Sequence, residues 1–201
     1  MLDDVRPDVP VRTPTSRVRK RHEATRAEIL AAAWSLVRAH GLAALTLRDV
    51  AREVGMRAPS LYSYFPSKNA IYDAMYVQGC REFVEYYEQI PVTDDALTDL
   101  RAGMHAFVRF CTDDPARYQL LFQRTLPGFE PTPDSFSWAV RGLDLLRRRL
   151  SVHGYDEDVL DLLTAIGTGL ADQQISNDPG GDRWIRLIDD AMTMFHNHVS
   201  R

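Results

Sequence analysis

Cysteine is scarce in this chain. Cys80 and Cys111 are the only two, about thirty residues apart and each inside an apolar helical pattern. That argues against a zinc cluster or a disulfide framework and for buried, reduced thiols. Long apolar runs are missing too: none approaches the roughly eighteen residues of a membrane span, and no apolar stretch follows a basic start in the first thirty residues, so a cytoplasmic chain is expected. No segment reads as a strand, and there is no internal repeat or low-complexity tract. Catalytic signatures are equally sparse. None of the six histidines has an acid three positions before it, as an inward-facing di-metal bundle requires. Gly167-Thr168-Gly169 is followed three residues later by Asp172 instead of glycine and follows no strand, which removes the dinucleotide reading. His196 and His198 fall on different faces of a helix. There is no phosphate loop and no serine nucleophile elbow. Neither an enzyme, a metal site nor a cofactor is expected; a helical-bundle enzyme is the remote alternative.

What is present is an ordinary folded composition, 201 residues of which 45% are apolar, enough for one sizeable core or two small ones. The net charge of -4 hides an asymmetry. From Arg12 to Ala70 there are eleven Lys and Arg against four Asp and Glu, a net +7, whereas residues 71 to 201 carry a net -9. A basic head on an acidic body focuses attraction for a polyanion onto one end.

Helical periodicity runs through almost the whole chain, and the expected class is all-α with about nine helices. Residues 1 to 21 read as an arm without periodic structure, with Pro7, Pro10 and Pro14, ending in Arg17-Val18-Arg19-Lys20-Arg21. That basic run is either solvated or poised to touch phosphates or a minor groove. A first helix from about Glu23 to His40 follows from Ile29, Leu30, Ala33, Trp34 and Val37, with Gly41 as its left-handed stop. Thr46 and Asp49 form a capping pattern before Leu47, Val50, Ala51 and Val54, and Gly55 ends that second helix. Pro59 to Pro66 bounds a third helix of about two turns. Ser67 caps a fourth reaching about Gln89 before Ile90-Pro91 breaks it. The body then reads as helices over roughly 94 to 113, 115 to 125, 134 to 151, 156 to 176 and 181 to 199. The expected organisation is an arm (1–21), a three-helix head (22–66), a connecting helix (67–90) and a helical body (91–201).

Two short helices joined by a glycine turn, with a first helix behind them, make the framework that sets a helix into the DNA major groove. At about 100° per residue, Leu61 and Phe65 face inward, Pro59, Ser60 and Ser63 face away, and Tyr62 and Tyr64 occupy the flanks. A plain solvated helix favours long charged residues there; this surface is small, hydroxyl-rich and aromatic, and leaves room for close approach. Arg57 at the helix entrance, Lys68 at the next helix start and the amides behind Thr46 add anion contacts.

Thr46-Leu47-Arg48-Asp49-Val50-Ala51-Arg52-Glu53-Val54-Gly55-Met56, followed by Leu61-Tyr62-Ser63-Tyr64-Phe65-Pro66-Ser67-Lys68, resembles the DNA-binding signature of the tetracycline-repressor (TetR) family. Arg26 to Ala33 with His40-Gly41 fits the same family's first helix, so the likeness covers about residues 22 to 76. The resemblance implies a homodimeric regulator of transcription on a pseudo-palindromic operator, usually a repressor released by a small molecule. Carried over residue by residue, it assigns DNA contact to Thr46, Arg57, Ala58, Pro59, Ser60, Tyr62, Ser63, Tyr64 and Lys68. The family often has His where this chain has Tyr64. With Ala58 and Pro59 lacking polar reach, DNA shape is expected to contribute to recognition.

For the body, the last two helices are the expected dimer surface: Leu160, Thr164, Gly167 and Ala171 as a small-residue stripe, with Trp184, Ile188, Phe195 and Val199 as bulk. A ligand pocket is expected among Met104, Phe107, Val108, Phe110, Cys111, Tyr118, Leu121, Phe122 and Trp138. His105, Arg109, Asp172 and Gln173 are the candidate polar anchors. Arg147-Arg148-Arg149 reads as cations suited to a helix C-terminus. A constitutive DNA-architectural protein without effector is the alternative function. Operator, effector and regulated genes are not written in the residues.

Overall fold

The computed structural model describes residues 16–200 and, among them, is all-helical with nine α-helices. The segment before Ser16 expected to form an arm lies outside the described residues. The basic run does not belong to an arm: α1 spans Ser16–His40 and takes Arg17 to Arg21 into its first turns. The expectation of a start near Glu23 rested on apolar spacing, which ends where the helix leaves the core; helix propensity of Arg and Lys carries the backbone further.

Gly41, at φ 82, ends α1 and donates its amide to Val37 at 2.8 Å. A short 3-10 turn, Leu42–Ala44, leads to α2, Leu47–Glu53, whose N-cap Thr46 accepts the amide of Asp49. Gly55, at φ 67, closes α2 and turns the chain into α3, Ala58–Leu61. This third helix is one turn instead of two. Tyr62 to Tyr64 continue as a tighter turn, with the amides of Ser63 and Tyr64 bonded back to Ser60 and Leu61, because Pro66 follows too soon for the ladder to extend. Leu61 and Phe65 are buried with Ile29, Trp34 and Val50 in the core of the head.

Ser67 caps α4, Lys68–Glu88, through the amide of Ala70. The helix belongs to both halves: Ile71, Tyr72 and Met75 pack into the head, and Cys80 and Tyr87 into the body. The body comprises α5 (Ala96–Asp113), α6 (Pro115–Phe122), α7 (Pro133–Val152), α8 (Val159–Asn177) and α9 (Ile188–Val199). The expected last helix from 181 starts later, because Ile185–Leu187 form a 3-10 turn first. Here α4 packs along α7, while α5 packs against α8 and α9 over Leu100, Met104, Val108, Leu163, Ile188 and Met192.

Head and body are joined by directed bonds as well as by α4. Arg38 of α1 holds the buried Asp114, the N-cap of α6, at 2.7 and 3.0 Å. Trp34 donates its indole N–H to Gln78, and Asp73 of α4 accepts the amide and hydroxyl of Thr132 and the hydroxyl of Ser135, at the start of α7. No described helix is long and apolar enough to cross a membrane.

Candidate nucleic-acid interface and buried cavity

The outward side of the head is built by α2, its glycine turn and α3. Pro59, Ser60, Tyr62 and Ser63 are exposed, Tyr62 by 53%. Arg57 is exposed at the N-cap of α3 without using its side chain to cap it. Lys68 lies 5.5 Å from the centre of the Tyr72 ring, and neither Arg57 nor Lys68 has an ion-pair partner among the described residues. Cations left without counter-charges around a small hydroxyl surface suit a phosphate backbone.

Three expected contacts are differently placed. The Thr46 hydroxyl is exposed but already accepts the Asp49 amide and donates to the Asp49 carboxylate at 2.6 Å, so it orients α2. That hydroxyl, with Arg52 beside it, holds Asp49 below the usual carboxylate range. Ala58 is half-buried against the head core, where a methyl is what fits. Tyr64 is not an open flank: its ring stacks on His22 at 4.7 Å and its carbonyl accepts the Arg26 guanidinium, because the tight turn after Leu61 swings it toward α1. The exposed cations Arg17, Lys20 and Arg21 lie in the part of α1 that precedes His22, the residue stacked on Tyr64.

Within the body, a cavity of about 360 Å³ lies between α4, α5, α6, α7 and α8. Met104, Phe107, Leu121, Phe122 and Trp138 line it as expected from sequence. Val108, Phe110, Cys111 and Tyr118 do not: all are buried on faces packed by neighbouring helices, with Phe110 under the Arg117 guanidinium at 3.6 Å. The expected polar anchors also lie outside. His105 is exposed and pairs with Asp189 at 3.0 Å, Arg109 is exposed, Asp172 accepts from Gln123, and Gln173 accepts from Asn177. They occupy the outward sides of α5 and α8, which spacing alone does not distinguish from the inward sides.

The residues missed are more telling. Tyr76, Cys80, Phe83 and Tyr87, at steps of four, three and four along α4, form one wall. Arg149, in the last turn of α7, and His153, just after it, form a polar end with Tyr87 and Asp99. Asp99 accepts His153 at 2.8 Å and both the amide and hydroxyl of Thr93. Burial pushes this carboxyl up, but those hydrogen bonds outweigh it and leave it below its ordinary value. Burial also pushes the Cys80 thiol up to about 12 and raises Cys111, which keeps both protonated. A larger groove of about 930 Å³ runs along α1 and α4, but it is an open surface furrow edged by Arg26, Asp73, Arg81 and Glu85.

The expected dimer stripe is mostly interior. Leu160, Gly167, Ala171, Ile188 and Phe195 are buried within the chain, Thr164 lines the cavity, and Trp184 and Val199 are half-buried. Gly167 meets Met104 and Phe107 of α5, so the small residues serve close packing inside one copy. The opposite side of α8 carries exposed Leu162, Ala165 and Gly169; a Cβ on Gly169 would meet nothing. On the 3-10 turn and α9, Leu187 and Met194 are exposed.

Comparison with known proteins connects these features. Residues 29–75 match the family model described as bacterial regulatory proteins, tetR family. An HTH-type transcriptional regulator of Mycobacterium tuberculosis, Rv1816, is 31% identical over 127 residues, covering 60% of this chain and 54% of the relative. The match thus spans about half the length of the curated relatives. Among solved structures, a Rhodococcus protein of unknown function superposes with a TM-score of 0.75 at 19% identity, covering 88% of this chain and 95% of that one. PfmR, a TetR family transcriptional regulator from Thermus thermophilus, gives 0.62 at 21% identity, covering 83% and 96%. At such identities the likeness is one of fold.

Proposed function

We propose that this chain, which belongs to the tetR family of bacterial regulatory proteins, is a cytoplasmic transcriptional regulator that binds a pseudo-palindromic operator as a homodimer and is released by a small molecule held in the body. The observation that carries the reading is the surface around α3: exposed Arg57, Pro59, Ser60, Tyr62 and Ser63, with Lys68 beside them and neither cation in an ion pair among the described residues. Ser60, Tyr62 and Ser63 meet the major groove, Arg57 and Lys68 meet phosphates, and Thr46, Ala58 and Tyr64 shape the approach from behind. Arg17, Lys20 and Arg21 extend the contact along the backbone. The outward sides of α8 and α9 join the two copies in a four-helix interface, and two heads then reach successive grooves.

Selection of genomic fragments by the purified protein, followed by binding as a function of salt, tests this. The logarithm of affinity should fall linearly with the logarithm of salt, by about 0.9 per phosphate neutralised. Lys68→Ala should weaken all duplexes alike and flatten that slope by roughly one unit, while Tyr62→Ala weakens selected over random duplex. A slope untouched by Lys68→Ala together with random DNA bound as tightly as selected DNA refutes the reading. An architectural protein without effector would bind DNA identically with the cavity filled or empty.

A further inference from the structure

Most buried polar atoms near the cavity are satisfied by the protein itself. Thr168 donates to Thr164, Asp99 is held by His153 and Thr93, and Tyr155 pairs with His196. Tyr87 is the exception. It is 6% exposed and lines the cavity, yet its hydroxyl makes no hydrogen bond among the described residues. It sits over Gly103 of α5, where an added Cβ would come within 2.5 Å of the phenol oxygen, so a residue without a side chain makes room for the group. The phenol oxygen is not sealed off but faces the cavity, so its O–H is free to donate to a bound acceptor.

Next to it stands Arg149, whose guanidinium is 5.3 Å from the Tyr87 ring centre. Arg149 donates to the carbonyls of Ile90 and Pro91, but no carboxylate pairs with it among the described residues. A guanidinium presents five donors, so two such bonds leave others free. The neighbouring Asp99 turns its oxygens to His153 and Thr93 and not to Arg149, so no carboxylate is bonded to the guanidinium at this end. Elsewhere the walls are apolar and aromatic: Phe83, Met104, Phe107, Phe122 and Trp138.

Resting on the regulator reading for its biological meaning but not for its chemistry, we propose that the cavity takes an apolar monocarboxylate, its hydrocarbon or aryl body among the phenylalanines and its carboxylate against the Tyr87 hydroxyl and the Arg149 guanidinium. An apolar wall excludes a strongly hydrated, multiply charged molecule. A phenol and a guanidinium, both donors, select an acceptor that is anionic. The Tyr87 phenol is pushed up to about 12 by burial, against the opposing pull of Arg149, so it remains a donor throughout the physiological range. An amine meets two donors and a cation instead, and the lining acid Asp99 already has its oxygens taken by His153 and Thr93. A volume of about 360 Å³ admits a body of medium size.

The test uses the full chain and matched probes: octanoate, octanol and octylamine, with phenylbutyrate, phenylbutanol and phenylbutylamine, read by calorimetric affinity and by melting temperature. The carboxylates should bind at least tenfold tighter than the alcohol and amine of the same skeleton. Tyr87→Phe, which keeps the ring and removes one oxygen, should weaken carboxylate binding about tenfold or more and leave the alcohols within about threefold. Arg149→Gln should remove the preference for acid over alcohol. Alcohols binding as tightly as acids, amines binding tightest, or none of the six binding would each overturn the proposal. DNA release is scored separately: acids that bind with the stated preference but leave DNA bound uphold the ligand chemistry and refute the effector reading.

Discussion

If the outward sides of α8 and α9 form the dimer, Met194 is the residue to charge. It is 73% exposed, the most of any large apolar side chain described, and Leu162 on α8 and Leu187 on the 3-10 turn before α9 are exposed by 41% and 39%. Burying a methionine fully contributes about 1.5–3 kcal/mol, so the exposed part of Met194 offers about 1–2 kcal/mol per copy. Two-fold symmetry presents each substitution twice, about 2–4 kcal/mol per dimer. Met194→Glu should therefore raise the dimer dissociation constant by roughly 30- to 1,000-fold, before any cost of desolvating the carboxylates. Sedimentation equilibrium across a concentration series measures this, with Met194→Leu as a control expected to stay within about threefold. The free side chain touches little in its own copy, so the variant's helicity and cavity should be retained. A dissociation constant for Met194→Glu within about threefold of the parent refutes the assignment and moves attention to α7, where Phe136, Val140 and Leu143 are also exposed at helical spacing; Phe136→Glu would then dissociate the dimer.

Two further outcomes are open to simple measurement. Gln174, buried in α8, accepts the amide of Trp184 at 2.9 Å and donates to the carbonyl of Asp178, tying the end of α8 to the entry of α9. Gln174→Leu leaves the Trp184 amide without a partner, while the Asp178 carbonyl keeps the Gly181 amide, a loss of about 1–3 kcal/mol and a fall in melting temperature of roughly 3–10 °C; a change under about 1 °C would show that the connection relaxes around the loss. Acid should destabilise the fold through its depressed aspartates. Hydrogen bonding from Thr46, from Thr98 and from the Arg183 amide lowers Asp49, Asp95 and Asp178, and at Asp99 the bonds from His153 and Thr93 overcome burial. Each folded value lies below the unfolded one, so the stability is fully present above about pH 4 and drains as pH falls through the depressed values. The slope of melting temperature against pH in that window should flatten in Asp99→Asn, and an identical slope would remove Asp99 from the linkage.

The head was legible because its determinants are local. Thr46, Gly55, Pro66 and Ser67 each fix a cap or a stop by their own chemistry, and a cap needs only the next three residues to be recognised. The body was legible as helices but not as contacts. Periodicity identifies a face and says nothing of what meets it: the stripe of Leu160, Gly167 and Ala171 was real, and its partner was α5 of the same copy. Similarly, His105 and Asp172 lie on helices that border the cavity yet point away from it, a rotation that depends on packing between segments distant in sequence. Arg149 was hidden by its neighbours. In a run of three arginines at a helix end the dipole accounts for all three alike, and only the fold distinguishes the one that reaches the carbonyls of Ile90 and Pro91 beside the cavity.

That cavity and the recognition surface share a single element. α4 begins at Lys68, beside the exposed turn, and four of its residues, Tyr76, Cys80, Phe83 and Tyr87, form a cavity wall. An occupant that shifts this wall acts on Tyr72 and Met75 in the head core one turn earlier, while Arg38 on Asp114 and Asp73 on Thr132 resist any movement of the head alone. The two sites are then linked through one equilibrium, and linkage is reciprocal: whatever factor the ligand takes from DNA affinity, DNA must take from ligand affinity. A ligand that fits the cavity equally well in both arrangements of α4 changes nothing, however tightly it binds. On the proposed reading, a molecule that reaches both Arg149 on α7 and Tyr87 on α4 senses the distance between the two helices, and it releases DNA only by binding one arrangement more tightly than the other.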